Sequence, residues 1–477
     1  MGISTLPSFV AGKRIEADSD RCMVRSLDDE IAIPVAEISA ADLRNALRYA
    51  DRSQEILART SLAERIEVAR LLIREYANRR NDVAWGLARF RGLVARDTHW
   101  MCDLMLDWDH DLDALVLAMF GVPAAAACHA IYSRENYIGS INWTSRGKTA
   151  LFSASTMDGP AGITALAHGI ISGTHLLIRP SWRDPATHLG FEILQEHGLS
   201  HYAQLVRWRS DGENAAMLNR LLLSNVDQAL IFSSNETFSQ LVGGTSAPGT
   251  PAWEHAFRKA RRYGTGLPLA IVTAEFSPET AAKRLIEGAR LGAGRFCLST
   301  TPVLVQDSAY DPLLKHLKKE AALLTRGDPL SFDSDLSGVA KDEVLALKQG
   351  LANFGGKIEY GEIRHDGMDV MIVGDVPEES PCLYEEFPGT LLCLIRVPDL
   401  KTAGELAKAG LRKNGREAWT AVTTFGSVDQ YETVVSSLPS FRHLHAGITS
   451  HVKLLMPHQG SYFALDMMRR MTREPFR

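Results

Sequence analysis

The chain has 477 residues, a formal net charge of −5, and 45% hydrophobic and 23% charged residues. That length is too great for one core, and the composition excludes a disordered, collagenous or disulfide-stapled chain. Basic residues are interspersed with acids rather than gathered in a stripe, so small molecules or proteins are the expected partners and nucleic acid is not.

Residues 1–35 read as short strands and turns, with no basic segment leading into an apolar one. With no uninterrupted apolar run long enough to cross a bilayer, the expectation is a cytoplasmic protein without a membrane span. Helical periodicity covers 40–53. It resumes at Thr60, where Ser61 and Glu64 have capping-box spacing ahead of Ile66, Ala69, Leu72 and Tyr76, and runs with breaks to about Phe120. Residues 129–153 turn to short strand-like runs broken by glycine. Helix and strand then alternate: helix over 163–172, strand 175–178, helix 185–198, strand 203–206, helix 214–223, strand 229–232, and a helix start over 235–242. Such alternation predicts a parallel α/β sheet with ligands at its strand ends. Residues 243–253 (GGTSAPGTPAW) are linker-like. A second alternating section runs from Leu267 to about His445.

Chemistry concentrates at one cysteine. Strand 267–273 is followed by an amphipathic helix (278–294), then Gly294-Arg295-Phe296-Cys297-Leu298-Ser299-Thr300, then a second apolar strand at 302–305. A thiol between a helix end and a strand, with glycine beside it, can face a cleft and have backbone N–H groups around it. The thiolate is a nucleophile, and such N–H groups can hold an oxyanion. A buried structural cysteine is the competing reading of Cys297 taken alone. His443, His445, His451 and His458 have no Cys or acid at ligand spacing, so no metal is expected.

The order of elements, with several motifs in register, resembles the aldehyde dehydrogenase superfamily over most of the chain. The motifs are RPSWRDP (179–185), VDQALIFSSNE (226–236), GRFC (294–297), EEFPGTLL (385–392) and PHQG (457–460). The resemblance implies an α/β fold of two parallel α/β domains plus a β-hairpin oligomerisation element. Residues 1–129 and 150–266 would bind cofactor. Residues 130–149, with 461–477, would form the hairpin region of a homodimer or homotetramer, and 267–460 would be the catalytic domain. Cys297 would be the nucleophile. Arg179 takes the place of the family's ribose-binding Lys, followed by Ser181, and Trp182 takes the place of a Glu that repels a 2′-phosphate, with Arg183 next. NADP(H) is therefore favoured over NAD(H); a solvated surface arginine is the competing reading of Arg183. Ser233 and Ser234 would meet the pyrophosphate at a helix N-terminus. Glu385 and Phe387 would orient the nicotinamide ribose and ring, unless Glu385 is one more acid in an acidic run. The entrance helix of the family corresponds to 99–121, with Trp100, Met101, Met105, Trp108, Met119 and Phe120 as funnel residues.

Two departures bear on the reaction. The family's general-base Glu stands in a motif that reads Arg262-Tyr263-Gly264-Thr265-Gly266 here. Its oxyanion-holding Asn is missing from Ser155-Thr156-Met157-Asp158-Gly159. Hydrolysis of a Cys-bound thioester needs a carboxylate to activate water, whereas transfer between thiols does not. Cys297-Leu298-Ser299-Thr300, Tyr263-Gly264 and His458-Gln459-Gly460 are locally similar to long-chain acyl-CoA reductases. The leading expectation is NAD(P)H-dependent reduction of an acyl thioester, on CoA or an acyl carrier protein, to an aldehyde. One alternative is NAD(P)+-dependent oxidation of an aldehyde to an acid by a base moved elsewhere, with Glu254 and Glu275 the nearest acids in sequence. The other is a catalytically degenerate binding or scaffold member.

Overall fold

A computed structural model describes residues 3–17, 22–120, 130–134, 137–243, 250–264, 266–336, 338–339, 341–364, 367–451 and 461–473. The PHQG segment at 457–460 and most of the linker-like stretch lie outside these residues.

Three helices, Leu62–Asn78, Arg80–Arg91 and Ala95–Phe120, follow a first helix at Ala40–Leu57. The capping box read at Ser61 and Glu64 is present in full: the Ser61 hydroxyl accepts from the Glu64 N–H, and the Glu64 carboxylate accepts from the Ser61 N–H. Two orphan donors of the helix end are thereby satisfied. Gly92, in the left-handed region at φ 70°, ends the third helix and turns the chain into the fourth.

The two alternating sections form two seven-stranded sheets. The first runs in the order Ala260–Tyr263, Gln228–Phe232, Thr149–Phe152, Leu176–Arg179, Ala203–Leu205, Ser8–Val10, Lys13–Ile15. Its first five strands are parallel, and the two N-terminal strands close one edge antiparallel. The second runs in the order Lys357–Tyr360, Met371–Gly374, Leu391–Val397, Pro302–Gln306, Pro268–Val272, Ala421–Phe425, His443–His445, with only the edge strand Lys357–Tyr360 antiparallel. Central strands such as Pro268–Val272 are buried throughout, which is why they read as unbroken apolar runs rather than alternating ones. A separate antiparallel sheet joins Ala130–Arg134, Tyr137–Ser145 and the C-terminal strand Met468–Arg473. Among the described residues no helix is long and apolar enough to cross a membrane.

Helix ends are where local pattern and structure differ. The helix expected over 278–294 stops at Arg290, and Leu291–Gly294 form a tight turn with Gly292, Ala293 and Gly294 all at φ between 61° and 64°. A left-handed alanine is uncommon, so the surrounding contacts hold this turn in place.

Candidate active site

The turn at 292–294 delivers Cys297 to a cavity of about 540 Å³. The cavity is bounded on one side by residues that follow strands of the first sheet: Ser155 beyond Thr149–Phe152, Ser233 and Ser234 beyond Gln228–Phe232, and Gly264 beyond Ala260–Tyr263. On the other side stand residues that precede strands of the second sheet, Cys297 before Pro302–Gln306 and Glu386–Pro388 before Leu391–Val397. Helix Ala95–Phe120 closes a third side with Trp100, Met101, Leu104 and Trp108. For the first sheet this is the carboxyl end of the strands, where parallel α/β sheets bind ligands; the second sheet faces the cavity with its amino ends.

Three backbone segments meet at Cys297. Gly266 lies so close to Cys297 that a Cβ at 266 would sit 1.4 Å from the Cys297 carbonyl oxygen. A Cβ at Gly294 would sit 2.2 Å from the Gly389 carbonyl oxygen. The Gly266 N–H donates to Glu386 Oε1 at 3.2 Å, tying the 385–389 segment to the surroundings of Cys297 from both sides. Only glycine permits these approaches.

Cys297 is half-buried, and its remaining accessible surface opens to the cavity. Burial, reinforced by the Glu386 carboxylate, pushes the thiol up to about 12. Glu386 keeps an accessible side within the cleft, yet desolvation raises its carboxyl to about 7 against the opposing pull of the Gly266 N–H and the Arg416 guanidinium. Arg295, two positions before Cys297, pairs with Glu343 at 3.0 Å and donates to the Arg91 carbonyl at 2.8 Å. Burial, then the neighbouring Arg91, lowers it to about 10.

The residues singled out from sequence fall into distinct places. Ser233, Ser234 and Phe387 line the cavity with Cys297. Ser234 caps helix Asn235–Gly243, its Oγ accepting from the Thr237 N–H at 3.2 Å, while the buried Ser233 Oγ has no hydrogen-bond partner among the described residues. An orphaned hydroxyl and a helix N-terminus at a strand end fit a dinucleotide pyrophosphate. Arg179 ends strand Leu176–Arg179 and donates to the Trp208 carbonyl at 3.1 Å and to Ser210 Oγ at 2.6 Å, with its buried Nε unpartnered among the described residues. Ser181 turns instead toward Asp158, donating to Oδ1 at 2.6 Å. Trp182 and Arg183 line a separate cavity of about 510 Å³ together with Arg25 and Arg209.

Glu385 is exposed and does not line the main cavity; its neighbour Glu386 does. The Glu-Glu-Phe run identifies the segment, but it is the second acid that meets the Gly266 N–H and lines the cavity. Glu254 is exposed and paired with Arg258 at 3.0 Å, and Glu275 is exposed; neither lines the cavity. Asp158, in the segment where the Asn is missing, is buried against Arg91, 3.1 Å away, and Ser181. Burial and the nearby Asp184 raise it to about 8, and it does not line the cavity. Trp100, Met101 and Trp108 line the funnel as expected of them, but Met105 and Met119 join the hydrophobic core and Phe120 packs on Trp143 at 5.6 Å. Phe463, which no local pattern marks out, forms part of the cavity wall and packs edge-on against Tyr263 at 5.0 Å.

The aldehyde dehydrogenase family model matches residues 163–410. The lactaldehyde dehydrogenase of Methanococcus maripaludis strain C5 is 25% identical over 181 residues, covering 36% of this chain and 39% of that protein. Its counterpart from strain S2 is 20% identical over 426 residues, covering 86% of each. Among solved structures, an NAD-dependent benzaldehyde dehydrogenase from Corynebacterium glutamicum superposes with a TM-score of 0.81 at 16% identity, covering 99% of this chain and 97% of that one. This likeness shows a shared fold.

Proposed function

We propose, for a chain that belongs to the aldehyde dehydrogenase family, the NAD(P)+-dependent oxidation of an aldehyde to a carboxylic acid at Cys297. The observation that carries this reading is the half-buried Cys297 on the wall of a cavity between the ends of two parallel sheets. The thiol adds to the carbonyl carbon and its proton ends on the former carbonyl oxygen. Loss of hydride and of that proton leaves a thioester on Cys297, and water then releases the acid and restores the thiol. A nicotinamide in the cleft supplies the hydride acceptor. Ser233 and Ser234 would hold its pyrophosphate, and Phe387 would pack near the ring.

Relatives named lactaldehyde dehydrogenase support oxidation over thioester reduction. The case for thioester reduction rests on the lack of a carboxylate near the thiol, and Glu386 weakens it. Trp100, Leu104, Trp108, Phe296 and Phe463 give the cavity an apolar wall, which favours an aliphatic or aromatic aldehyde. The test is a panel of aliphatic, aromatic and carboxylate-bearing aldehydes with NADP+ or NAD+, followed by nicotinamide absorbance and product analysis. Free acid formed without a thiol acceptor is the expected result. Product formed only as a thioester of an added thiol returns the reaction to acyl transfer.

For the cofactor, Trp182 and Arg183 in place of a repelling carboxylate support NADP(H). Arg183→Ala is expected to lower affinity for NADP+ by about tenfold, the worth of one hydrogen bond to a charged group, and leave that for NAD+ unchanged. Fluorescence titration of both cofactors checks this. For assembly, the sheet of Ala130–Arg134 and Tyr137–Ser145 with Met468–Arg473 supports a homodimer or homotetramer joined through its edge. Deleting residues 134–145 is then expected to yield monomer on a calibrated sizing column, and an unchanged size refutes the arrangement.

A further inference from the structure

We infer that Glu386 is the general base that activates water against the Cys297 thioester, entering from the 385–389 segment and not from the position that Arg262 occupies. The inference rests on the oxidation reading above and deepens it.

Geometry supports it first. Glu386 and Cys297 line the same cavity, and both contact Gly266: its N–H holds Glu386 Oε1 at 3.2 Å, and its α-carbon abuts the Cys297 carbonyl. The carboxylate is therefore fixed by one oxygen. Its Oε2 has no hydrogen-bond partner among the described residues and is free to accept a proton. Oε1 is oriented by a backbone donor that cannot itself ionise, so the base keeps its position through the cycle.

Electrostatics supports it second. Desolvation brings the Glu386 carboxyl to about 7, where a base is both substantially ionised and basic enough to take water's proton at neutral pH. Arg416 lies within reach of both Glu386 and Cys297, and its positive charge favours the carboxylate and the departing thiolate alike. Glu254 and Glu275, the alternatives closest in sequence, are outside the cavity.

The step balances without a further reactant. Water's oxygen bonds to the thioester carbon as Glu386 takes one of its protons. The tetrahedral adduct collapses, the C–S bond breaks with its electron pair going to sulfur, and Glu386 returns the proton to the thiolate. Acid leaves, and both residues are as they began.

The experiment uses Glu386→Gln in the full-length protein, with the best aldehyde of the panel. The base role predicts a burst of reduced nicotinamide stoichiometric with sites, an acyl adduct on Cys297 by intact mass spectrometry, and steady-state turnover lower by about 10²- to 10⁴-fold. In the wild type, deacylation should rise with pH through about 7, because the ionised form of Glu386 is the active one; the variant should lose that limb. An independent readout needs no turnover: the pH midpoint of Cys297 alkylation by iodoacetamide should fall in the variant, since a negative charge that lifts the thiol has been removed. Loss of the burst in the variant, with the wild type bursting, assigns Glu386 to cofactor or hydride transfer and overturns the inference. Equal turnover, or an unmoved alkylation midpoint, overturns it as well. A wild type idle on every aldehyde overturns the oxidation reading and takes this inference with it, whereas a working wild type beside an equally active variant removes the inference alone.

Discussion

Cys297→Ala should reduce aldehyde turnover to background, a loss on the order of 10⁴-fold or more, while leaving the fold and cofactor binding intact. The size follows from the chemistry: without a sulfur to carry the acyl group, no thioester forms, and the remaining groups of the cavity supply only binding and polarisation. The selectivity follows from the structure. Cys297 is half-buried and opens to the cavity, so removing one sulfur leaves a small gap at an open surface and no collapsed core. The measurement pairs nicotinamide absorbance with a thermal melt and a cofactor titration. Turnover that survives in a variant with an unchanged melt would remove Cys297 from the reaction and reopen the reading of it as a structural thiol. The burial that pushes the thiol up to about 12 also predicts slow alkylation at neutral pH, accelerating as pH rises.

Gly266→Ala should be the most damaging conservative change in the second sheet's half of the site. A Cβ there would lie 1.4 Å from the Cys297 carbonyl oxygen and 2.6 Å from its Cα, so the clash is with backbone on both sides and no side-chain rotation relieves it. Either Gly266 or the turn that carries Cys297 must move. The expected cost is about 3 kcal/mol or more, from overpacking against a rigid neighbour, together with loss of activity as Cys297 leaves its position. Gly404→Ala is the control. Gly404 lies within helix Leu400–Asn414, and among the described residues no atom beyond its chain neighbours and its own helix backbone comes within 4 Å of the point a Cβ would occupy. Alanine there should be neutral or stabilising by up to about 1 kcal/mol. Denaturant midpoints for the two variants, measured side by side, check both signs. A Gly266→Ala protein as stable and active as the wild type would mean that the close approach of 266 to 297 does not constrain the site.

Much of the architecture was legible along the chain because it is written in local patterns. Period and capping placed the start of the helix Leu62–Asn78, down to the reciprocal bonds of Ser61 and Glu64. Unbroken apolar runs marked the buried parallel strands Gln228–Phe232, Pro268–Val272 and Pro302–Gln306. Cys297, between a glycine-rich helix end and a strand, was legible for the same reason: its neighbours in sequence build the turn that presents it.

What required the tertiary structure were choices between residues that local pattern treats alike. Glu385 and Glu386 are adjacent and chemically identical, and only the contact of one with the Gly266 N–H, 120 positions away in sequence, tells which of them lines the cavity with Cys297. Phe463 enters the wall because the C-terminal segment returns to the first sheet, a long-range contact with no local signal. The sequence by itself determined the two alternating helix–strand sections and the place of Cys297 between a helix end and a strand, because periodicity, caps and glycine placement act over a few residues. The tertiary structure alone decided what surrounds Cys297, because desolvation and charge act through space between segments that the chain order keeps apart.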